Sequence, residues 1–446
     1  MKDTSESISI RFKHKKQKMN RREWISKSGI AMGGIFIVPS FISCLSENTG
    51  KNPHILLVSG WQTVNIGDIA HTPGLIHLLK TYFPEIKITL WPNDIDLQEE
   101  NSLMTLFPDL TIVHDDFART GVAGGSDEAY QAIEGADFLL HGSGPGIVGL
   151  QKLQIWRERS AKPYGIFGIT IASVWDELKE VLNGASFIFT RETLSLHVLR
   201  DAGVTGPELG FGPDATFFLP NRNEASARFY MESRNLDDRK FICIVPRSRY
   251  TPYHRVHVRI IWEQEHTDRV IAENLKFAEE DHQKLREVII RYVRETGNKV
   301  VLCPEMEYQT ELYEPLLYNP LPSDVKGHIL MHPYWTPDDA ASLYARAAAV
   351  VSAECHSPII ALVNGTPAIY VRQPSDTIKG QMYYDLKLSD WIFEIEQTTG
   401  KQIADRVMEI VNNMEQSIDQ VRLLNERVKE IYEGNMAELS KHLLRR

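Results

Sequence analysis

Short apolar runs alternate along most of the chain with longer segments whose apolar positions recur at helical spacing. Runs of the first kind read as strands buried on both faces and segments of the second as the helices that cover them, so the alternation predicts βα units and a parallel sheet. In the first half, strands are predicted over 54–59, 86–90, 110–113, 137–141, 164–169 and 187–190. Helices lie between them, among them 73–80 and 193–201, the latter stopped by Ala202-Gly203. The polar stretch 221–239 marks a crossover into a second series. There the strands are 241–245, 300–303, 329–331, 348–352 and 368–371, with helices over 267–295 and 337–346. A charged amphipathic helix over 402–441 closes the chain, and no internal repeat or low-complexity segment interrupts it. The pattern predicts an α/β fold of two Rossmann-like, doubly wound domains facing across a cleft, over 45–220 and 221–400, followed by the helical segment 401–446. In such sheets ligands bind beyond the carboxyl ends of the strands.

The first 44 residues break the alternation. A basic stretch (Arg11, Lys13, Lys15, Lys16, Lys18) precedes Asn20-Arg21-Arg22-Glu23-Trp24-Ile25, and an apolar, glycine-containing run follows over 29–42. That order is the order of a twin-arginine export signal. The apolar run is shorter than the roughly 20 residues needed to span a bilayer, which sets it against the alternative of a permanent anchor. Phe41-Ile42-Ser43-Cys44 has the form of a loose lipoprotein box, with Cys44 as the lipidated residue and ordinary cleavage nearby as the alternative. The working protein is therefore expected in the periplasm or cell envelope, touching a membrane only through a lipid on Cys44.

Removing this segment changes the charge. It holds 9 of the 49 Lys and Arg and 3 of the 59 Asp and Glu, which leaves 40 basic against 56 acidic residues, a net charge of −16. A surface so acidic excludes nucleic acid as a partner. Cys243, Cys303 and Cys355 remain, an odd number, two of them in apolar runs. They read as small buried hydrophobes and give no disulfide framework.

Chemistry is sought at the predicted strand ends. After the first strand, Asn65-Ile66-Gly67-Asp68 offers a glycine that permits close approach and a carboxylate that can bind a sugar hydroxyl or take its proton; the alternative is a helix cap. The loop Gly142-Ser143-Gly144-Pro145-Gly146 can cradle an anion on its free N–H groups or serve as a turn. Arg191 can clamp a carboxylate or phosphate, or merely pair with Glu192. Pro213-Asp214 places a carboxylate in a loop facing the other domain, where a turn residue is the local reading. The richest stretch is Ser352-Ala353-Glu354-Cys355-His356-Ser357-Pro358, where a strand ends and a helix capped by Ser357 begins. The helix terminus is expected to lower the pKa of His356, and the i, i+2 spacing to put Glu354 and His356 on one face. Arg372 and Lys379 follow the next strand and are offered to an anionic or hydroxylated ligand, while Glu305 and Glu307 belong to the cleft or to its rim. No cluster with metal-ligand spacing is visible, so neither a metal nor another cofactor is expected.

The order of these motifs resembles the polysaccharide pyruvyl transferase family. The landmarks are Asn65-Ile66-Gly67-Asp68, the glycine loop, Arg191-Glu192 with Ser195 behind it, Pro213-Asp214, His356 before a helix ending in Asn364-Gly365-Thr366-Pro367, and Lys379 after the following strand. The resemblance covers about residues 54–395 and rests on the order and spacing of the motifs together. It implies a fold like the GT-B glycosyltransferases and transfer of a pyruvyl group from phosphoenolpyruvate onto two sugar hydroxyls as a ketal. By carry-over, Arg191 and Lys379 hold the donor's phosphate and carboxylate, His356 protonates its methylene carbon, and Asp68 binds the acceptor or acts as base.

One position departs from the pattern. The family has an arginine two residues before the histidine, where this chain has Glu354. Exchanging a cation for an anion within about 5 Å of a donor with nearly three negative charges turns attraction into repulsion of several kcal/mol at an effective dielectric near 20. Glu354 and the export signal both weigh against phosphoenolpyruvate as donor. Two rival readings follow: a hydrolase on the same scaffold, with Glu354 or His356 protonating a leaving oxygen while Asp68 or Asp214 assists water, and a glycan-binding protein without catalysis.

Overall fold

The computed structural model describes residues 52–115, 126–220, 222–257 and 260–444. The export signal read over 1–44 and the lipid on Cys44 lie outside the described residues.

Among the described residues thirteen strands form two sheets, and every pairing between these strands is parallel. The first sheet contains β1 (His54–Val58), β2 (Lys87–Leu90), β3 (Thr111–Ile112), β4 (Phe138–His141), β5 (Tyr164–Ile169), β6 (Phe187–Thr190) and β7 (Glu208–Phe211) in the order β3-β2-β1-β4-β5-β6-β7. The second contains β8 (Phe241–Val245), β9 (Lys299–Leu302), β10 (Ile329–Met331), β11 (Ala349–Ser352), β12 (Ala368–Arg372) and β13 (Ile392–Glu394) in the order β10-β9-β8-β11-β12-β13. Both are doubly wound sheets of the Rossmann type. The continuous apolar runs explain why: β1, β4, β5, β6 and β8 are buried along their whole length, which only a sheet covered on both faces allows. Each sheet has its own apolar core, one holding Trp91, Trp156 and Ile166, the other Ile289, Leu302 and Val351.

Two strands escape the reading of the sequence. β7 and β13 both lie at sheet edges, where short, half-exposed strands carry little apolar signal. The terminal helix also differs from its expectation. It is two helices, Gly400–Asn412 and Met414–Leu444, joined at Asn413. The second is not a surface appendage: its stripe of Val421, Leu424, Val428, Tyr432, Met436 and Leu439 is buried. Asn425 donates to the carbonyl of Leu362 at 2.9 Å in the second half of the chain, and Tyr432 donates to that of Asp214 at 2.7 Å in the first. Cys243, Cys303 and Cys355 are free and buried, as their surroundings in the sequence imply.

Candidate active site

In each sheet the strand order reverses once, between β1 and β4 and between β8 and β11. A crevice opens at the carboxyl ends of such strands. Here the loops beyond β1 and β9 are fastened together: the N–H of Ile66 donates to the carbonyl of Glu305 at 3.0 Å, and Asn65 forms an antiparallel bridge with Met306.

The helix Ile66–Tyr82 begins beyond β1. Its cap is Asn65, whose side chain accepts the N–H groups of Gly67 and Asp68, so capping falls to Asn65 and leaves the Asp68 carboxylate for other partners. The amide of Gln62 donates to one Asp68 oxygen, and the other lies 3.7 Å from Nε2 of His71, one turn along the helix. His71 is fully buried and turns its Nδ1 to Asp214 at 2.9 Å.

Asp214 is the centre of this arrangement. It caps the short helical turn Ala215–Phe218 by accepting the N–H of Thr216 at 3.0 Å, and it accepts from Arg191 Nη1 at 2.7 Å. Burial pushes its pKa up, but His71, His356 and Arg191 outweigh burial and hold it well below the ordinary carboxylate value. The turn residue of the sequence reading is thus a buried ion in contact with two histidines.

His356 opens the helix His356–Val363. Its Nδ1 lies 3.1 Å from Glu305, its Nε2 3.6 Å from Asp214, and its ring stands edge-on to that of His71 with centroids 5.0 Å apart. The second oxygen of Glu305 accepts the N–H of Ser357 at 2.6 Å. The expected lowering of the His356 pKa is overturned. Burial and the helix terminus oppose the charged form, yet Asp214 and Glu305 outweigh burial and carry the pKa well above the ordinary histidine value.

Glu354 and His356 do not share a face as expected. Cys355 between them is helical, at φ −77° and ψ −37°, so the chain turns where an extended segment would alternate. Glu354 instead accepts from Gln309 Nε2 at 2.7 Å and lies 3.3 Å from Arg247 Nε. Burial lifts its pKa to about 7 against the pull of Arg247, with Glu305 adding repulsion. Arg247, in the loop after β8, also bonds Asp376, and Asp376 lies 3.2 Å from Lys379 Nζ. The half-buried Tyr253 has its hydroxyl pKa raised by burial first, then by Asp68, and it also feels Glu354 and Lys379. A cavity of about 550 Å³ adjoins on the side of Gln62, lined also by Asp96, Glu99, Tyr334 and Asp339.

Several candidates from the sequence are placed elsewhere. The N–H groups of Gly142 and Gly144 go to the carbonyls of Val58 and Gly168, and Ser143 Oγ links Gly168 to Ala215. A Cβ on Gly144 would lie 2.6 Å from the Trp61 ring, so that loop is a packing joint and not an anion cradle. Arg372 pairs with Glu394 on the adjoining strand at 2.8 Å and with the carbonyl of Thr377, which takes it out of the cluster. Arg191 is buried as the counter-ion of Asp214 and bonds Thr170 at 2.7 Å, so it is no clamp for a donor. Glu305 belongs to the site, whereas Glu307 is exposed.

His71, Arg247, Gln309 and Asp376 are the residues the sequence reading missed. His71 had a signal, since Asp68 and His71 stand i, i+3 on one helix face. The expectation of no metal-ligand cluster is also corrected: the fold gathers Asp68, His71 and His356 with one ligand atom of each within 4.8 Å of the others.

Residues 65–373 match the family described as polysaccharide pyruvyl transferase. A comparison with curated proteins finds no match. Among solved structures, the UDP-N-acetylglucosamine 2-epimerase of Neisseria meningitidis bound to UDP-GlcNAc is similar at 11% identity, with 87% of this chain and 100% of that chain covered and a TM-score of 0.52. The HepE protein of Anabaena in complex with UDP and glucose is similar at 10% identity, with 87% and 100% covered and a TM-score of 0.50. At such identity the likeness extends to the fold, a GT-B-like pairing of two Rossmann-type domains, and no further.

Proposed function

Since the chain belongs to the polysaccharide pyruvyl transferase family, we propose that it joins a pyruvyl group as a ketal to two hydroxyls of a carbohydrate, outside the cytoplasm. Arg247 is the observation that carries this reading. The family's arginine is replaced by Glu354 in the sequence, but a cation returns in space from the loop after β8, Arg247, 3.3 Å from Glu354. Arg247 and Lys379 share Asp376 as their counter-ion, and with Glu354 protonated they keep one positive charge in excess for the phosphate and carboxylate of a phosphoenolpyruvate-type donor.

The remaining roles follow from position. Asp68, at the mouth of its helix and beside Tyr253, takes the acceptor hydroxyls. The proton for the donor's methylene carbon is assigned to Glu354, because His356 has a carboxylate against each ring nitrogen and holds its proton by charge. The two acceptor O–H bonds become the two C–O bonds of the ketal; one proton balances that gained by the methyl group, and the other leaves with phosphate. Export rests on the paired Arg21-Arg22 and the apolar run that follows them.

The experiment incubates the chain with phosphoenolpyruvate and envelope polysaccharide from the cells that make it. The expected result is phosphate release dependent on the glycan, with a pyruvate ketal in the product by mass spectrometry. Release of pyruvate or sugar from the glycan without a donor would instead support hydrolysis and sink this reading. Cell fractionation tests the address separately.

A further inference from the structure

We propose that Asp68, His71 and His356 bind a divalent cation of the zinc class, with Asp214 and Glu305 as the carboxylates that orient the two imidazoles. The first support is the way both rings are turned. His71 presents Nδ1 to Asp214 at 2.9 Å and His356 presents Nδ1 to Glu305 at 3.1 Å. In both, Nε2 is buried without a hydrogen-bond partner; Nδ1 of His356 has its hydrogen bond with Glu305, whereas Nδ1 of His71 meets Asp214 as an ion-pair contact outside hydrogen-bond geometry. Each of those nitrogens has a carboxylate within 4 Å, Asp68 at 3.7 Å from His71 and Asp214 at 3.6 Å from His356. A histidine that ligates a metal is held in this manner, one nitrogen fixed by a carboxylate and the other left for the ion. A histidine that serves packing alone has both nitrogens satisfied or solvated.

Charge is the second support. Asp68, Asp214 and Glu305 gather three carboxylates against one guanidinium, that of Arg191, and all four are buried. Ligation needs both imidazoles neutral, so the ion displaces the proton that His356 otherwise holds; three carboxylates against one guanidinium then leave a net charge of −2, which is costly in a dry interior. One divalent cation cancels it.

Spacing agrees. A cation about 2.1 Å from each donor, at tetrahedral angles, draws its donors about 3.4 Å apart. The Asp68 and His71 pair already stands at 3.7 Å, and all three donor atoms are within 4.8 Å of one another. Two imidazoles and one carboxylate suit zinc, iron or manganese better than calcium or magnesium, and three protein ligands leave a position open. Gln62, whose amide donates to Asp68, also lines the adjoining cavity, from which a carbohydrate hydroxyl can complete the shell; this last point alone rests on the function proposed above.

The test is metal content, which is read without turnover. The chain is stripped with a chelator, dialysed, and titrated with Zn²⁺ or Co²⁺. The expected result is about one equivalent bound per chain, with the visible absorption of cobalt(II) in a nitrogen and oxygen site. Asp68→Ala and His71→Ala should lose the ion, Asp214→Asn and Glu305→Gln should weaken it by about 10- to 100-fold, and the exposed His197→Ala should bind as the wild type does. A thermal melt checks that each variant is folded, and Asp68→Asn takes the place of a variant that is not. Failure of the wild-type chain to bind either ion, or unchanged binding in Asp68→Ala and His71→Ala, overturns the proposal. Either outcome is independent of whether a pyruvyl group is transferred.

Discussion

The side chain of His356 lies against Gly67 so closely that a Cβ built there would fall 2.2 Å from its Nδ1 and 2.3 Å from its Cγ. The glycine of the Asn65-Ile66-Gly67-Asp68 turn is thus required by a residue almost 300 positions away, and its φ is not in the region that favours glycine. Gly67→Ala should push the ring from between Glu305 and Asp214. Overpacking of this kind costs about 1–3 kcal/mol. The expected outcome is a lower denaturation midpoint together with a loss of activity larger than the loss of folded protein; unchanged values for both would show that the ring has room to move.

Arg247 and Glu354 touch but are assigned different work, and steady-state kinetics separates them. Arg247→Lys keeps the charge and loses the planar fork, so donor KM should rise about tenfold with kcat little changed. Glu354→Gln keeps the hydrogen bonding size and removes the proton, so kcat should fall by roughly 10²- to 10⁴-fold with donor KM little changed. A rise in KM alone for Glu354→Gln would move the proton donor to another residue.

The sheets were legible because a strand buried on both faces writes itself as an unbroken apolar run, as in Phe241–Val245. The exceptions have a physical cause: Glu208–Phe211 and Ile392–Glu394 are edge strands with one neighbour each. Asp68 and His356 were legible as polar residues at strand ends, where the fold places chemistry. His71 was hidden because it sits inside a helix that is buried on nearly all sides, including Leu75 and Leu78. The Gly142–Gly144 loop misled because glycine marks close approach without saying of what; here it is Trp61 and Ser59. Arg372 misled because its partner, Glu394, is set by the register of β12 on β13, which no local pattern encodes.

Tyr432 links the last helix to the site. Its hydroxyl donates to the backbone carbonyl of Asp214 at 2.7 Å from a fully buried position. Tyr432→Phe keeps the ring and leaves that carbonyl without the donor, at a cost of about 1–3 kcal/mol. Because the carbonyl belongs to the residue that holds both histidines, activity should fall at temperatures where the variant is still folded. A stability loss with full activity would confine Tyr432 to packing.

Lys152 gives the fold a pH dependence of known sign. It is fully buried, donates to the carbonyls of Pro92 at 2.6 Å and Trp91 at 3.3 Å, and lies 3.8 Å from Asp115. Burial lowers its pKa from 10.5 to about 7, with Asp115 offsetting part of the effect. Between those two values the unfolded chain keeps a proton that the folded chain has lost, so this residue's contribution to stability rises with pH across the window. Each unit amounts to about 1.4 kcal/mol at most. Lys152→Met removes the titration and keeps much of the volume. Denaturant midpoints of the two proteins, measured from pH 7 to pH 10, should therefore diverge in favour of the wild type as pH rises. A constant difference would mean that the ammonium stays charged in the fold, held by Asp115 and the two carbonyls more strongly than burial opposes it.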